Sequence, residues 1–179
     1  LHYPLRRQRQ MCIRDRYPVD CMLVNIKIQT NIISLSHKYK VKKLIFIGSS
    51  CIYPKHSKTP IKESELLKGE LEPTNQWYAL TKIHGVKMCE AYNKQYNSNF
   101  SCVMPTNLFG LNDKYGENSH VIPALLKRIH QSKINRDPYV KVWGDGTPKR
   151  EFMYADDCAK IICKICLLYT SPSPRDKRQ

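Results

Sequence analysis

The chain has 179 residues, 41% of them hydrophobic, and a formal net charge of +15. That length suits one domain rather than two, and the apolar share is that of an ordinary globular protein. No run of about 18 apolar residues indicates a transmembrane helix, and the basic N-terminus has no apolar stretch behind it to make a signal peptide.

Eight cysteines without a secretory signal predict reduced thiols in a cytoplasmic setting. Their spacing gives no zinc pattern, so no metal is expected. The charge is uneven: residues 1–16 carry a net +4 and residues 166–179 a net +2, which leaves +9 for the middle. A basic nucleic-acid-binding module, the reading that the total charge invites, would cluster Lys and Arg with stacking aromatics. The middle disperses its charge, so neither nucleic acid nor membrane is expected as a partner.

Arg6 to Asp15 shows no apolar period and no turn logic. Arg6 to Asp15 reads RRQRQMCIRD and Cys166 to Asp176 reads CLLYTSPSPRD. Both strings resemble translations of the two arms of a transposase sequencing adapter. Residues 1–16 and 166–179 are therefore set aside as adapter-derived, and residues 17–165 are read as the folding part.

In chain order, residues 22–39 carry apolar positions near the 3.6-residue period and predict a helix. Leu44-Ile45-Phe46-Ile47, closed by Gly48, predicts a short buried parallel strand. Pro54, Pro60 and the polar residues between them predict a loop. A long helix is predicted from about Gln76 to Tyr96, stopped by Asn97-Ser98-Asn99. Phe100 to Met104 reads as a second buried strand, and Pro105 to Asn118 as irregular. Residues 120–133 read as a helix, Val140 to Trp143 as a short strand, residues 144–148 as a loop, and Asp156 to Ile165 as the start of another helix. Strands alternating with 20-residue helices predict an α/β fold with crossover connections. Ligands in such sheets bind beyond the carboxyl ends of the strands, here Gly48-Ser49-Ser50-Cys51 and Pro105-Thr106-Asn107.

Two of these sites carry chemistry. Tyr78 and Lys82 stand four apart and share a helix face. An ammonium beside a phenol stabilises the phenolate, which makes a proton donor for a carbonyl under reduction. Taken alone, Tyr-x-x-x-Lys is common on exposed helix faces. Ser49 leaves a predicted strand about 30 residues earlier, at the ligand edge, where its hydroxyl either binds a carbonyl oxygen or caps the next turn.

Together these residues resemble the Ser/Tyr/Lys triad of the extended short-chain dehydrogenase/reductases. GSSCIYP at 48–54, LEPTNQWYALTKIHG at 71–85, MPTNLFG at 104–110, SHVIPAL at 119–125 and VWGDGTPKREF at 142–152 narrow the resemblance to the GDP-L-fucose synthase family. It covers essentially all of residues 17–165.

The resemblance implies a partial doubly wound, Rossmann-like parallel sheet, NADP(H) as cofactor, a GDP-sugar substrate, and a homodimer at full length. It implies 3,5-epimerisation and NADPH-dependent 4-keto reduction of GDP-4-keto-6-deoxy-D-mannose to GDP-L-fucose. Carried over residue by residue, Tyr78 donates the proton at C4, Lys82 supports it and holds the nicotinamide ribose, and Ser49 binds the C4 oxygen. Cys51 and His120 form the epimerisation pair; a thiol and an imidazole bracket neutral pH. Read alone, Cys51 is a small buried hydrophobe and His120 a helix-start residue. The cofactor would also touch Ile47, Gly48, Ser50, His120 and the turn Pro105-Thr106-Asn107-Leu108. The substrate would meet Arg128, Trp143 and Arg150, through bidentate grip and a flat apolar wall; the plain alternatives are solvated arginines and a core tryptophan.

Among seven glycines none makes G-x-x-G-x-x-G. The N-terminal phosphate-loop unit and much of the C-terminal substrate region are thus expected to be missing, and the chain alone is expected to be inactive and marginally folded. The nearest alternative is another nucleotide-sugar enzyme of the same family, a 4,6-dehydratase or a 4-epimerase. A dehydratase would be expected to carry an acidic residue near the triad serine, where Cys51 stands.

Overall fold

A computed structural model of the protein describes residues 17–116, 119–142, 144, 146 and 150–168. Helix α1 (Pro18–Lys38) opens on a proline, whose missing N–H costs nothing at a helix start. Strand β1 (Leu44–Ile47) follows, then a 3₁₀ turn at Ser50–Ile52. Helix α2 (Gln76–Tyr96) ends where Asn97 turns left-handed at φ 54° and its N–H bonds the Asn93 carbonyl at 3.0 Å. Asn93 also holds strand β2 (Phe100–Val103): its amide donates to the Phe100 carbonyl at 2.7 Å and its side-chain oxygen accepts from the Phe100 N–H at 2.9 Å. Strand β3 (Asn107–Phe109), helix α3 (Val121–Asn135), strand β4 (Phe152–Tyr154) and helix α4 (Ala155–Leu168) complete the described residues.

The α/β class predicted from the sequence is what the chain adopts. β1 pairs with β2 in parallel, Leu44 opposite Phe100 and Ile47 opposite Val103. β3 pairs with β4 in parallel, Asn107 opposite Phe152. The main core lies between α1, α2 and the β1–β2 pair. Ile33, Cys89 and Phe100 are buried there, with Leu44, Phe46, Met88 and Tyr92 packed around them. A second cluster of Ile52, Ile83 and Val86 seats the 3₁₀ turn against α2. Each such side chain contributes about 1.5–3 kcal/mol when removed from water. Gly85 lets α2 lie on β1, since a Cβ there would collide with the Phe46 ring. The Cys89 thiol is pushed up by its hydrogen bond with Cys102 and by burial, which makes it a packing group rather than a nucleophile.

Four expectations change. β1 is half-buried, with Ile47 46% exposed, because among the described residues β2 covers only one of its edges. Strand β3 forms inside a stretch read as irregular. Val140 to Val142 are not a strand, and Trp143 lies outside the described residues. A strand needs a partner strand for its backbone groups; Phe152–Tyr154 finds one in β3, while Val140–Val142 pair with no strand among the described residues and the Lys141 carbonyl accepts from Arg128 instead. Finally, α4 begins at Ala155 and continues through residues 166–168, three positions into a segment that had been set aside. The remainder of that segment and residues 1–16 lie outside the described residues.

Candidate active site

The carboxyl end of β1 builds the first wall. Gly48 is buried and its N–H donates to the Val103 carbonyl at 2.8 Å, which locks the two strand ends together. Met104-Pro105-Thr106 therefore leaves β2 beside Ser49-Ser50-Cys51. Ser49 is the N-cap of the 3₁₀ turn, and its Oγ accepts from the Cys51 N–H at 3.4 Å. The capping role is real, and it fixes where the hydroxyl stands without using its proton. Ile52, fully buried, anchors the turn against Ile83 and Val86 of α2. Just beyond, burial pushes the Tyr53 phenol up and the nearby Glu63 adds to it, so Tyr53 stays neutral.

Helix α2 builds the second wall. Tyr78 and Lys82 are both half-buried. The Lys82 Nζ stands 5.7 Å from the centre of the Tyr78 ring and 5.2 Å from that of Phe46, and it donates to the Ile47 carbonyl at 2.9 Å. The ammonium thus bridges the helix and the end of β1.

Two further polar atoms in this region lack partners. The Thr106 Oγ1 and the Asn75 Oδ1 are buried with no hydrogen bond among the described residues. Buried polar atoms are nearly always paired, so a hydroxyl left open at the exit of β2 is a place for a ligand's polar atom. Asn75, at the N-cap of α2 and three residues before Tyr78, does not cap the helix with its side chain. Sequence reasoning named Thr106 and missed Asn75; its only sequence signal was its place at the helix start.

The other predicted residues lie apart from this cluster. Asn107 bonds both its N–H and its side-chain amide to the Glu151 carbonyl, at 3.3 and 3.0 Å, so it sets the β3–β4 register. Leu108 is exposed; Ser50 is exposed too but stays in the turn next to Ser49. His120 is exposed and starts α3, its carbonyl accepting from Ala124 N–H at 3.0 Å. Arg128 donates to the Lys141 carbonyl at 2.9 Å and lines a cleft of about 430 Å³ with Gln131, Ser132, Asp137 and residues 138–141. None of that cleft's walls belongs to the Ser49–Tyr78–Lys82 cluster. Arg150 is exposed, next to β4.

The sequence matches the profile of the NAD dependent epimerase/dehydratase family over residues 12–176, which reaches into both stretches that had been set aside. It is 55% identical over 146 residues to a GDP-L-fucose synthase of Escherichia coli (strain K12), covering 81% of this chain and 46% of that protein. Among solved structures, a GDP-L-fucose synthetase from Naegleria fowleri bound to NADP superimposes with a TM-score of 0.78 at 29% identity, over 89% of this chain and 55% of that one. A GDP-mannoheptose C4 reductase from Campylobacter jejuni with NADP bound gives 0.76 at 31% identity, over 83% and 53%. The chain spans about half the length of the curated relatives it matches.

Proposed function

We propose, because this chain belongs to the NAD dependent epimerase/dehydratase family, that it carries the catalytic segment of a GDP-L-fucose synthase, an NADPH-dependent 3,5-epimerase and 4-reductase of GDP-4-keto-6-deoxy-D-mannose. The single observation that carries this reading is the bridge of Lys82 between Tyr78 and the end of β1, beside Ser49.

Tyr78 then gives its proton to the C4 oxygen, Lys82 stabilises the phenolate that remains, and Ser49 holds the oxygen in line. Cys51 and His120 move protons at C3 and C5, with Cys51 already on the triad side of the fold. The open Thr106 hydroxyl fits a bound dinucleotide at the exit of β2. With Lys82, Gly48 and Pro105 it would form this chain's share of the cofactor cradle. When bound, NADPH supplies the reducing equivalent that C4 accepts. Arg128 and Arg150 are proposed for the diphosphate and sugar, with Trp143 beside them. We further take the whole protein to be a cytoplasmic homodimer.

The test exchanges the 146 matched residues of the Escherichia coli relative for those of this chain. The folded chimera is expected to oxidise NADPH only when the keto-sugar is present. A chimera that folds, binds NADPH and leaves the keto-sugar untouched would sink the reading.

A further inference from the structure

We infer that Gln29 of α1 is a positioning residue for the Tyr78–Lys82 pair, acting through the backbone of α2; the inference rests on the reductase reading above. Gln29 is 6% exposed on a helix whose neighbouring positions Ile28 and Ile32 are about half exposed. Its Nε2 stands 2.6 Å from the Thr81 carbonyl oxygen and 2.9 Å from the His84 Nδ1. The Thr81 carbonyl can only accept, so the amide nitrogen must face it. Both amide hydrogens are then used, one for each partner, and His84 is held with Nδ1 accepting and its proton on Nε2.

Thr81, fully buried, passes the constraint on: its Oγ1 donates to the Tyr78 carbonyl at 2.7 Å. In an α-helix those two carbonyls also accept from the N–H groups four residues on, at Lys82 and Gly85. The catalytic turn is therefore tied twice over, from inside the core. At about 100° per residue, Thr81 and Tyr78 lie roughly 60° apart around the helix. A rotation of α2 that swung Tyr78 and Lys82 away from Ser49 would pull Thr81 and His84 off the Gln29 amide. A buried apolar residue at position 29 could hold the helices together but would not set this angle, because apolar contacts have no direction. Directional bonds from a buried amide do set it. Lys82 and Gln29 also wall the same groove of about 240 Å³ along α1 and β1, so the clasp lies next to the ammonium it orients.

The experiment compares the 179-residue chain with its Gln29→Met variant, which keeps the length of the side chain and removes both donors, and with His84→Ala, which leaves the Thr81 tie intact. Amide hydrogen exchange is read along α2. We expect exchange at residues 78–85 to rise about tenfold in Gln29→Met, with residues 88–96 unchanged, and to rise less in His84→Ala. The nitrogen spectrum should show the Nε2–H tautomer of His84 in the parent chain and a mixture in Gln29→Met. In the chimera that carries these residues, Gln29→Met should move the pH profile of reduction by about one unit, a change that mere loss of folded protein would not produce. Unchanged local exchange together with an unchanged pH profile overturns the inference, as does an α2 in the parent chain with no protection at residues 78–85. If the chimera reduces nothing, the reductase reading fails, while the exchange and tautomer data still judge the clasp. Should Gln29→Met fail to fold, an exchange rise confined to residues 78–85 in His84→Ala supports the clasp, and its absence overturns it.

Discussion

On the proposed reading Tyr78 hands over a proton, and removing its hydroxyl tests that role. The Tyr78→Phe exchange keeps the ring that packs near Lys82 and removes only the hydroxyl. Reduction should fall by about 10²–10⁴-fold with the KM for the keto-sugar little changed, as steady-state NADPH oxidation would read. Unaltered turnover would remove Tyr78 from the chemistry. On the proposed reading Cys51 belongs to a different step. Cys51→Ser should abolish proton exchange at C3 and C5 while leaving the C4 reduction measurable; loss of both steps together would contradict that division. At this scale the sequence was informative where spacing forces proximity. Four residues on a helix put Tyr78 beside Lys82, and a strand end put Ser49 at the ligand edge. Gln29 was invisible, because a neutral amide in an amphipathic helix looks like any solvated side chain. His120 and Arg128 stand where no short-range rule reaches, and the described fold leaves each of them outside the triad cluster.

The elements were legible in proportion to their length. The period of residues 76–96 marked α2 with its bounds, since 21 residues give many turns to read and Asn97 supplies the left-handed stop. The three residues of β3 carry no period at all, and only pairing with Phe152–Tyr154 makes them a strand. Val140–Val142 show the converse, β-prone residues that pair with no strand among the described residues. Packing of α2 on β1 makes a direct prediction. Gly85→Ala should destabilise by about 1–3 kcal/mol in a urea melt, because the Cβ meets the Phe46 ring. A neutral result would mean that the helix can lift from the strand at no cost. Ile33→Ala should cost about 2–5 kcal/mol through the cavity it leaves between α1 and β2. The loop from Tyr53 to Glu72 is clipped at its base by Lys55 and Glu72, 3.5 Å apart. Burial raises the Glu72 carboxyl, but Lys55 and the Thr74 hydrogen bonds outweigh it, so the net value lies below the ordinary 4.5. The clip's contribution is thus fully present above pH 4.5 and lost as pH falls through the lowered value. Exchange in residues 55–72 should quicken below that point, and high salt should weaken the effect because both groups are exposed. A rate independent of acid pH would contradict it.

For the whole molecule, α1 shows how much apolar surface the described residues leave open. Leu23, Val24, Ile28, Ile32 and Leu35 are each about half exposed, and Ile47 continues that surface onto the edge of β1 that no strand among the described residues covers. No helix among the described residues is long and apolar enough to cross a membrane. The resemblance of Arg6–Asp15 and Cys166–Asp176 to adapter translations makes its own prediction. Source DNA recovered without a transposon step should lack those codons; the same codons in native DNA would make the ends part of the protein.

The most direct measurement runs the chimera with GDP-4-keto-6-deoxy-D-mannose and NADPH in deuterium oxide and reads the product by mass and carbon position. The account predicts GDP-L-fucose labelled at both C3 and C5, with Tyr78→Phe stopping reduction and Cys51→Ser stopping the label. A reduced sugar with no deuterium at C3 or C5 would contradict it and make these residues part of a C4 reductase alone.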